Sequence, residues 1–151
     1  MILRTALAMS VLTVVAFAAD PYIGTWKLNP AKSKYTGLPM PKDVTVTYTP
    51  IDQGWKYDAK GTTGDGQPIT MSFAYAKDNE DMKMTGYPYA DALSLQGGKS
   101  NSSVGTFKRE GKPVGTVKRN ISKDGKTMTI SANITLPDGK KGSYTSVYDK
   151  Q

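Results

Sequence analysis

The 151-residue sequence contains no cysteine and no histidine. Without cysteine there is no disulfide, no thiol nucleophile and no thiol for a lipid anchor, so the fold has to hold by packing and strand pairing alone. Without histidine the commonest general base is missing, and the two absences together remove the ligands of most transition-metal sites. Glutamate occurs only at Glu80 and Glu110. Neither falls opposite an aspartate on an inward strand phase, which argues against a paired-carboxylate hydrolase. The glycine-rich run Gly61 to Gly66 lacks the Gly-Lys-[Ser/Thr] ending that cradles phosphate, and the Asp-Gly turns lack the oxygen spacing of a calcium loop. The chain is therefore expected to be no enzyme and to use neither metal nor cofactor.

Long apolar runs are also scarce. The only one lies at the start: Met1-Ile-Leu-Arg4 is a short positive opening, Ala6 to Ala19 is apolar apart from Ser10 and Thr13, and Ala16-Phe17-Ala18 has small-x-small spacing. This pattern predicts a secretory signal peptide over residues 1–18, cleaved after Ala18, followed by one domain over 19–151 that is secreted or periplasmic and makes no stable membrane insertion. The formal net charge is +7, carried by lysines set singly along the chain. Such spacing describes a solvated exterior better than a nucleic-acid groove.

What the sequence has in abundance is alternation. Val44, Val46 and Tyr48 alternate with threonines, and Trp55, Tyr57 and Ala59 alternate with Lys56, Asp58 and Lys60. Ile69, Met71, Phe73 and Tyr75 follow the same rule, as do Met128, Ile130, Ala132 and Ile134. Turn signals such as Asp124-Gly125 and Pro137-Asp138-Gly139 separate these runs. The reading is ten short antiparallel strands, each with one buried face. Closing them into a cylinder removes the exposed edges, so the expected fold is an all-β up-and-down barrel of eight to ten strands, with a two-sheet β-sandwich as the alternative. The segment 29–42, broken by Pro30, Gly37, Pro39 and Pro41, reads as a covering loop.

Gly24-Thr25-Trp26-Lys27-Leu28 and the ending Val147-Tyr148-Asp149-Lys150-Gln151 resemble the calycin superfamily, the lipocalins and fatty-acid-binding proteins, whose first strand carries Gly-x-Trp. With Ala31-Lys32-Ser33-Lys34 and the run from Ser122 to Thr129, the whole of 19–151 is similar to small exported bacterial proteins of unassigned function. The resemblance implies a closed barrel in which an arginine from a late strand stacks over the Gly-x-Trp ring. Trp26 and Arg119 would fill those structural roles. The proline-broken 29–42 segment departs from the fatty-acid-binding pattern, leaving no room for two helices between the first strands.

Arginine is rarer than the charge suggests. After Arg4 it occurs only at Arg109 and Arg119, in a near-duplicate VGTFKREGKPVGTVKR. Read as a hairpin with a three-residue turn, this stretch places Arg109 opposite Pro113 and puts Phe107, Arg109, Val117 and Arg119 on one, more apolar, face. An inward guanidinium offers a forked donor to a carboxylate or phosphate. Asp91, with Asp149 second, is the candidate internal counter-ion.

Candidate ligand-binding residues are therefore Arg109, Tyr48, Tyr57, Phe73, Tyr75 and Phe107. A filled core is the alternative use of the same apolar positions. The function expected is non-catalytic binding, as a monomer, of a small hydrophobic or anionic amphiphilic molecule inside the barrel. The alternative is a surface module whose Lys56, Lys60, Lys108 and Lys118 meet anionic envelope polymer or lipid.

Overall fold

A computed structural model describes residues 20–151, so the segment 1–18 expected to be a signal peptide, and Ala19, lie outside the described residues. The strands are β1 (Gly24–Leu28), β2 (Lys34–Thr36), β3 (Asp43–Ile51), β4 (Gly54–Thr62), β5 (Pro68–Tyr75), β6 (Met82–Lys83), β7 (Ala92–Gln96), β8 (Ser102–Arg109), β9 (Lys112–Ile121), β10 (Thr127–Thr135) and β11 (Lys141–Lys150). Ten of them form one antiparallel path in the order β5-β4-β3-β1-β11-β10-β9-β8-β7-β6, and β2 lies off it, paired to β11. The ends of the path meet at a single bridge, where Ser72 and Thr85 exchange backbone bonds of 3.0 and 2.9 Å. The result is a nearly closed all-β barrel; the sandwich is not formed.

Alternation explains the inside and the outside. In β3, Val44, Val46 and Tyr48 are buried while Thr45 and Thr49 are exposed, and in β4 the buried set is Trp55, Tyr57 and Ala59. Because the side-chain period is two, slipping this hairpin by one residue would turn both sets to water, and the pairing Tyr48↔Tyr57 and Val46↔Ala59 is fixed accordingly. The first strand closes the cylinder by pairing with β3 on one side and β11 on the other.

The 29–42 segment is not wholly irregular. Pro30 opens a one-turn 3-10 helix (Pro30–Lys32), with the Asn29 side chain accepting from Lys32 N at 3.2 Å, after which β2 resumes pairing to β11. Ser33 stitches the break, its hydroxyl donating to Asn29 O at 2.8 Å and accepting from Val147 N at 2.9 Å. Residues 38–41 then border one end of the barrel.

The arginine hairpin has a two-residue turn, not the three-residue one expected. Glu110 and Gly111 both take positive φ, 52° and 76°, the pair required by a tight hairpin whose twist matches its strands. Arg109 therefore faces Lys112, Lys108 faces Pro113, and an irregularity between Phe107 and Lys108 restores the expected Phe107↔Gly115 and Gly105↔Val117 pairs.

The seam between β5 and β6 depends on a glycine. Gly86 has φ +77°, and a Cβ there would sit 1.7 Å from Thr70 O. Gly86→Ala should cost ~1–3 kcal/mol in urea unfolding through strain and overpacking, and should release the Ser72 and Thr85 amides to faster hydrogen exchange. Unchanged exchange at both amides would show that the seam does not rest on Gly86.

Candidate functional site

One end of the barrel is solid. Asp20 starts a turn in which its Oδ1 accepts from Tyr22 N at 3.0 Å, and the Trp26 indole donates to Tyr22 O at 2.8 Å. This holds the Tyr22 ring over Arg119, whose guanidinium carbon lies 4.2 Å from that ring and 4.8 Å from the Trp55 ring. Arg119, only 2 % exposed, donates to Ser103 Oγ (2.9 Å), Tyr48 Oη (3.3 Å) and Gly98 O (3.5 Å). No carboxylate among the described residues pairs with it. Each aromatic face contributes about 0.5–2 kcal/mol to a desolvated cation, so three faces, the third being Tyr48 at 5.9 Å, and three oxygens stand in for a counter-ion. Gly98 completes the plug: its carbonyl accepts from the Trp55 indole at 3.1 Å, and a Cβ there would meet the Tyr75 ring at 2.3 Å.

The other end is hollow. A cavity of ≈ 510 Å³ opens between residues 38–41, the β4–β5 turn and the loop 86–89. Its apolar wall includes Leu38, Val44, Ala59, Met71 and Ile130, and tyrosines supply most of its polar groups. Tyr35 stacks on Tyr144 at 5.3 Å and 16°, and its hydroxyl bonds Ser146 Oγ. The Tyr87 and Tyr144 hydroxyls lie 3.5 Å apart. Tyr57 stacks on Phe73 at 4.5 Å and 17° and turns its hydroxyl edge to the cavity it lines. A volume of this size matches what drug-sized molecules occupy.

Burial keeps these phenols neutral. It pushes Tyr57 and Tyr144 well above the ordinary value, raises Tyr148 and Tyr35, and takes Tyr87 up to about 12. The wall thus presents uncharged hydroxyls at neutral pH and above it.

Of the candidate ligand-binding residues, Tyr57 lines this cavity. Tyr48 and Tyr75 belong to the solid end, where Tyr48 bonds Arg119, and Tyr75 stacks on Trp55 at 4.9 Å and donates to Asp78 at 2.7 Å. Phe73 backs Tyr57, and Phe107 backs Tyr87 at 5.2 Å. Arg109 sits at the rim and donates to Tyr89 O (2.9 Å) and Thr135 O (3.2 Å), tying the 86–89 loop to the end of β10. The partners expected for the arginines need correction. Arg119 lies against Tyr22 and Trp55 rather than Trp26, whose ring is instead met by Lys150 Nζ at 5.1 Å. Asp91 is taken by the Glu110 amide and Asp149 by the Asn29 side chain, so neither faces a guanidinium. Of the surface lysines, Lys56 and Lys108 pair with Asp58 and Asp81 at 3.0 and 2.7 Å.

Sequence reasoning missed Tyr35, Tyr87, Tyr144, Ser146 and Tyr148. For β11 the signal was present, since Tyr144, Ser146 and Tyr148 alternate in one phase. Tyr87-Pro88-Tyr89, two aromatics beside a proline, reads locally as a turn more readily than as a stacking platform, and its rings reach the cavity because the loop lies at the mouth.

No family model matches the chain, and no curated protein matches it in sequence. Among solved structures it is similar to zebrafish ileal bile acid-binding protein complexed with cholic acid, at 10 % identity over 87 % of this chain and 99 % of that one, with TM-score 0.50. A redesigned β-barrel, mFAP0, bound to DFHBI matches at 17 % identity over 86 % and 99 %, with TM-score 0.42. The siderocalin Ex-FABP matches at 10 % identity over 87 % and 74 %, with TM-score 0.38. The fold is that of the fatty-acid-binding and lipocalin-like barrels.

The plug and the phenols make separable predictions. Arg119→Ala should lose ~2–4 kcal/mol in urea unfolding, because it leaves a void and strips partners from Tyr48 and Gly98. Tyr22→Phe should be neutral or slightly stabilising, since the Tyr22 hydroxyl is buried without a partner while its ring remains over Arg119. A large loss from Tyr22→Phe would show that the hydroxyl contributes. Because burial raises the tyrosine pKa values, their stabilising share is complete below pH 10.0, the ordinary value, and is lost as pH rises toward about 12. Tyrosinate absorbance at 295 nm should accordingly rise in one steep step with unfolding; gradual ionisation of all tyrosines near pH 10.0 would contradict this.

Proposed function

We propose that this chain is a non-catalytic binding protein that carries a small hydrophobic molecule in the open half of its barrel. The observation that carries the reading is the ≈ 510 Å³ cavity, apolar in most of its wall and closed at the far end by the Arg119 plug. Burial of an apolar molecule there gains about 25 cal/mol for each Å² removed from water. The wall offers hydroxyls but no charged group, and among the described residues no three acidic side chains converge as metal ligands. Such a wall supports retention of a molecule rather than its conversion. A barrel of the same fold holds cholic acid in the zebrafish bile acid-binding protein, which agrees with the reading.

The carrier is proposed to work outside the cytoplasm as a monomer. The signal-like segment 1–18 supports export, and one chain supplies the whole wall of the cavity. N-terminal sequencing of protein recovered from the producing cell's envelope or medium should begin at Ala19. An intact Met1 on cytoplasmic protein would end the export proposal.

Native mass spectrometry of the full chain as purified should show either a copurified small molecule or 1:1 uptake of an added apolar fluorophore. Met71→Trp, which places an indole on the cavity wall, should lower that uptake tenfold or more while the melting temperature changes little. If folded protein takes up no apolar probe across chemically varied amphiphiles, the carrier reading fails.

A further inference from the structure

The cavity carries information about its ligand beyond hydrophobicity. Not one of its lining residues is charged. Neither arginine lines it: Arg119 is shut in the plug by Tyr22 and Trp55, and Arg109 sits at the rim, where its Nη1 donates to two backbone carbonyls. A carboxylate or sulfonate moved from water into this space would meet no cation, and stripping such a charge of its hydration costs several kcal/mol unless a partner is supplied.

The wall is suited to something else. Its rings are braced by stacking, Tyr35 on Tyr144 within the wall and Tyr57 on Phe73 behind it, at 5.3 and 4.5 Å, and such rings present flat or edge-on surfaces to another ring. The polar groups are hydroxyls, which donate to a neutral oxygen as readily as they accept. Two hydroxyl pairs satisfy each other, Tyr35 with Ser146 and Tyr87 with Tyr144. The Tyr57 hydroxyl makes no hydrogen bond to another described residue and, unlike that of Tyr22, is not sealed away from the cavity it lines. A phenol that faces the cavity can donate to an acceptor that a ligand brings.

Resting on the carrier reading, we propose that the cavity selects uncharged, ring-bearing molecules over anionic amphiphiles, with the Tyr57 hydroxyl donating to a neutral carbonyl or hydroxyl oxygen of the ligand. This replaces the anionic half of the ligand class expected from an inward Arg109. It also gives the arginines a single sense: both stabilise the container and neither reads the contents.

Two fluorophores built on one ring system separate the possibilities. N-phenyl-1-naphthylamine is neutral, and 1-anilinonaphthalene-8-sulfonate is the same skeleton with a fixed negative charge. Titrated into the full chain, the neutral probe should saturate at 1:1 and bind at least tenfold more tightly than the sulfonate. Equal or tighter binding of the sulfonate, displaceable by the neutral probe, would overturn the selection while leaving the carrier reading intact. Failure of both probes to bind folded protein would overturn the carrier reading, and the selection with it. A third neutral probe, 6-propionyl-2-dimethylaminonaphthalene, brings a ketone whose emission shifts to the red when it accepts a hydrogen bond. Tyr57→Phe, which keeps the ring stacked on Phe73, should weaken this probe roughly fivefold, the size of one neutral hydrogen bond, and shift its bound emission to the blue. Phenylnaphthylamine affinity should change less than twofold. Ketone affinity and emission untouched by Tyr57→Phe would remove Tyr57 from the assignment. Circular dichroism on the variant checks that the barrel is retained.

Discussion

Arg119, held between the rings of Tyr22 and Trp55, is the contact on which the layout of this barrel depends. A guanidinium shut away from water without a carboxylate has to find its stabilisation in ring faces and neutral oxygens, and it finds them only if many groups converge. Tyr22 is brought in by the Trp26 indole, Gly98 by the absence of a side chain under Tyr75, and Ser103 by its place on β8 next to β9. The requirement fills one half of the cylinder completely. Since the strands run on past that half, the other half has walls without contents.

The hollow end is finished by less regular parts of the chain. Residues 38–41 and the 86–89 loop border it, and Arg109 fastens the second of these to β10 through two carbonyls. Closure of the cylinder is uneven. β1 is paired with both β3 and β11, whereas β5 meets the chain just after β6 at one bridge, on the same strand that carries Met71 into the cavity wall. Few backbone bonds make such a joint the cheapest place for a local opening, and its position puts that opening beside the cavity and not beside the plug.

The two ends also divide the chemistry. Charge, cation–π contact and dense aromatic packing belong to the plug, where Tyr48, Trp55 and Tyr75 are used up in support. The cavity inherits neutral phenols, short aliphatic side chains and the prolines of its rim. Binding there relies on exclusion of water and on hydroxyls that burial holds protonated, so an incoming molecule is sorted by whether it brings a charge of its own.

Alternation along each run determined the all-β class, the strand number around the barrel and the inside and outside of β3, β4 and β10, because a side-chain period of two allows only one register that keeps Val46, Tyr57 or Ile130 dry. The near-duplicate arginine hairpin placed Arg119 inward by the same logic, and the Phe107↔Gly115 pairing followed despite a turn one residue shorter than expected. What alternation does not encode is height along the barrel axis. Tyr48 and Tyr57 face the same interior on paired strands, yet one seals the plug and the other lines the void. Their rings lie 5.2 Å apart, so the boundary between plug and void falls between two register partners and is fixed by what packs on each of them from elsewhere in the chain. Only the tertiary structure decided that Arg119 would lie on Tyr22 and Trp55, that Arg109 would bind backbone, and that Tyr87 would reach the cavity, since each contact joins elements whose distance no local pattern records.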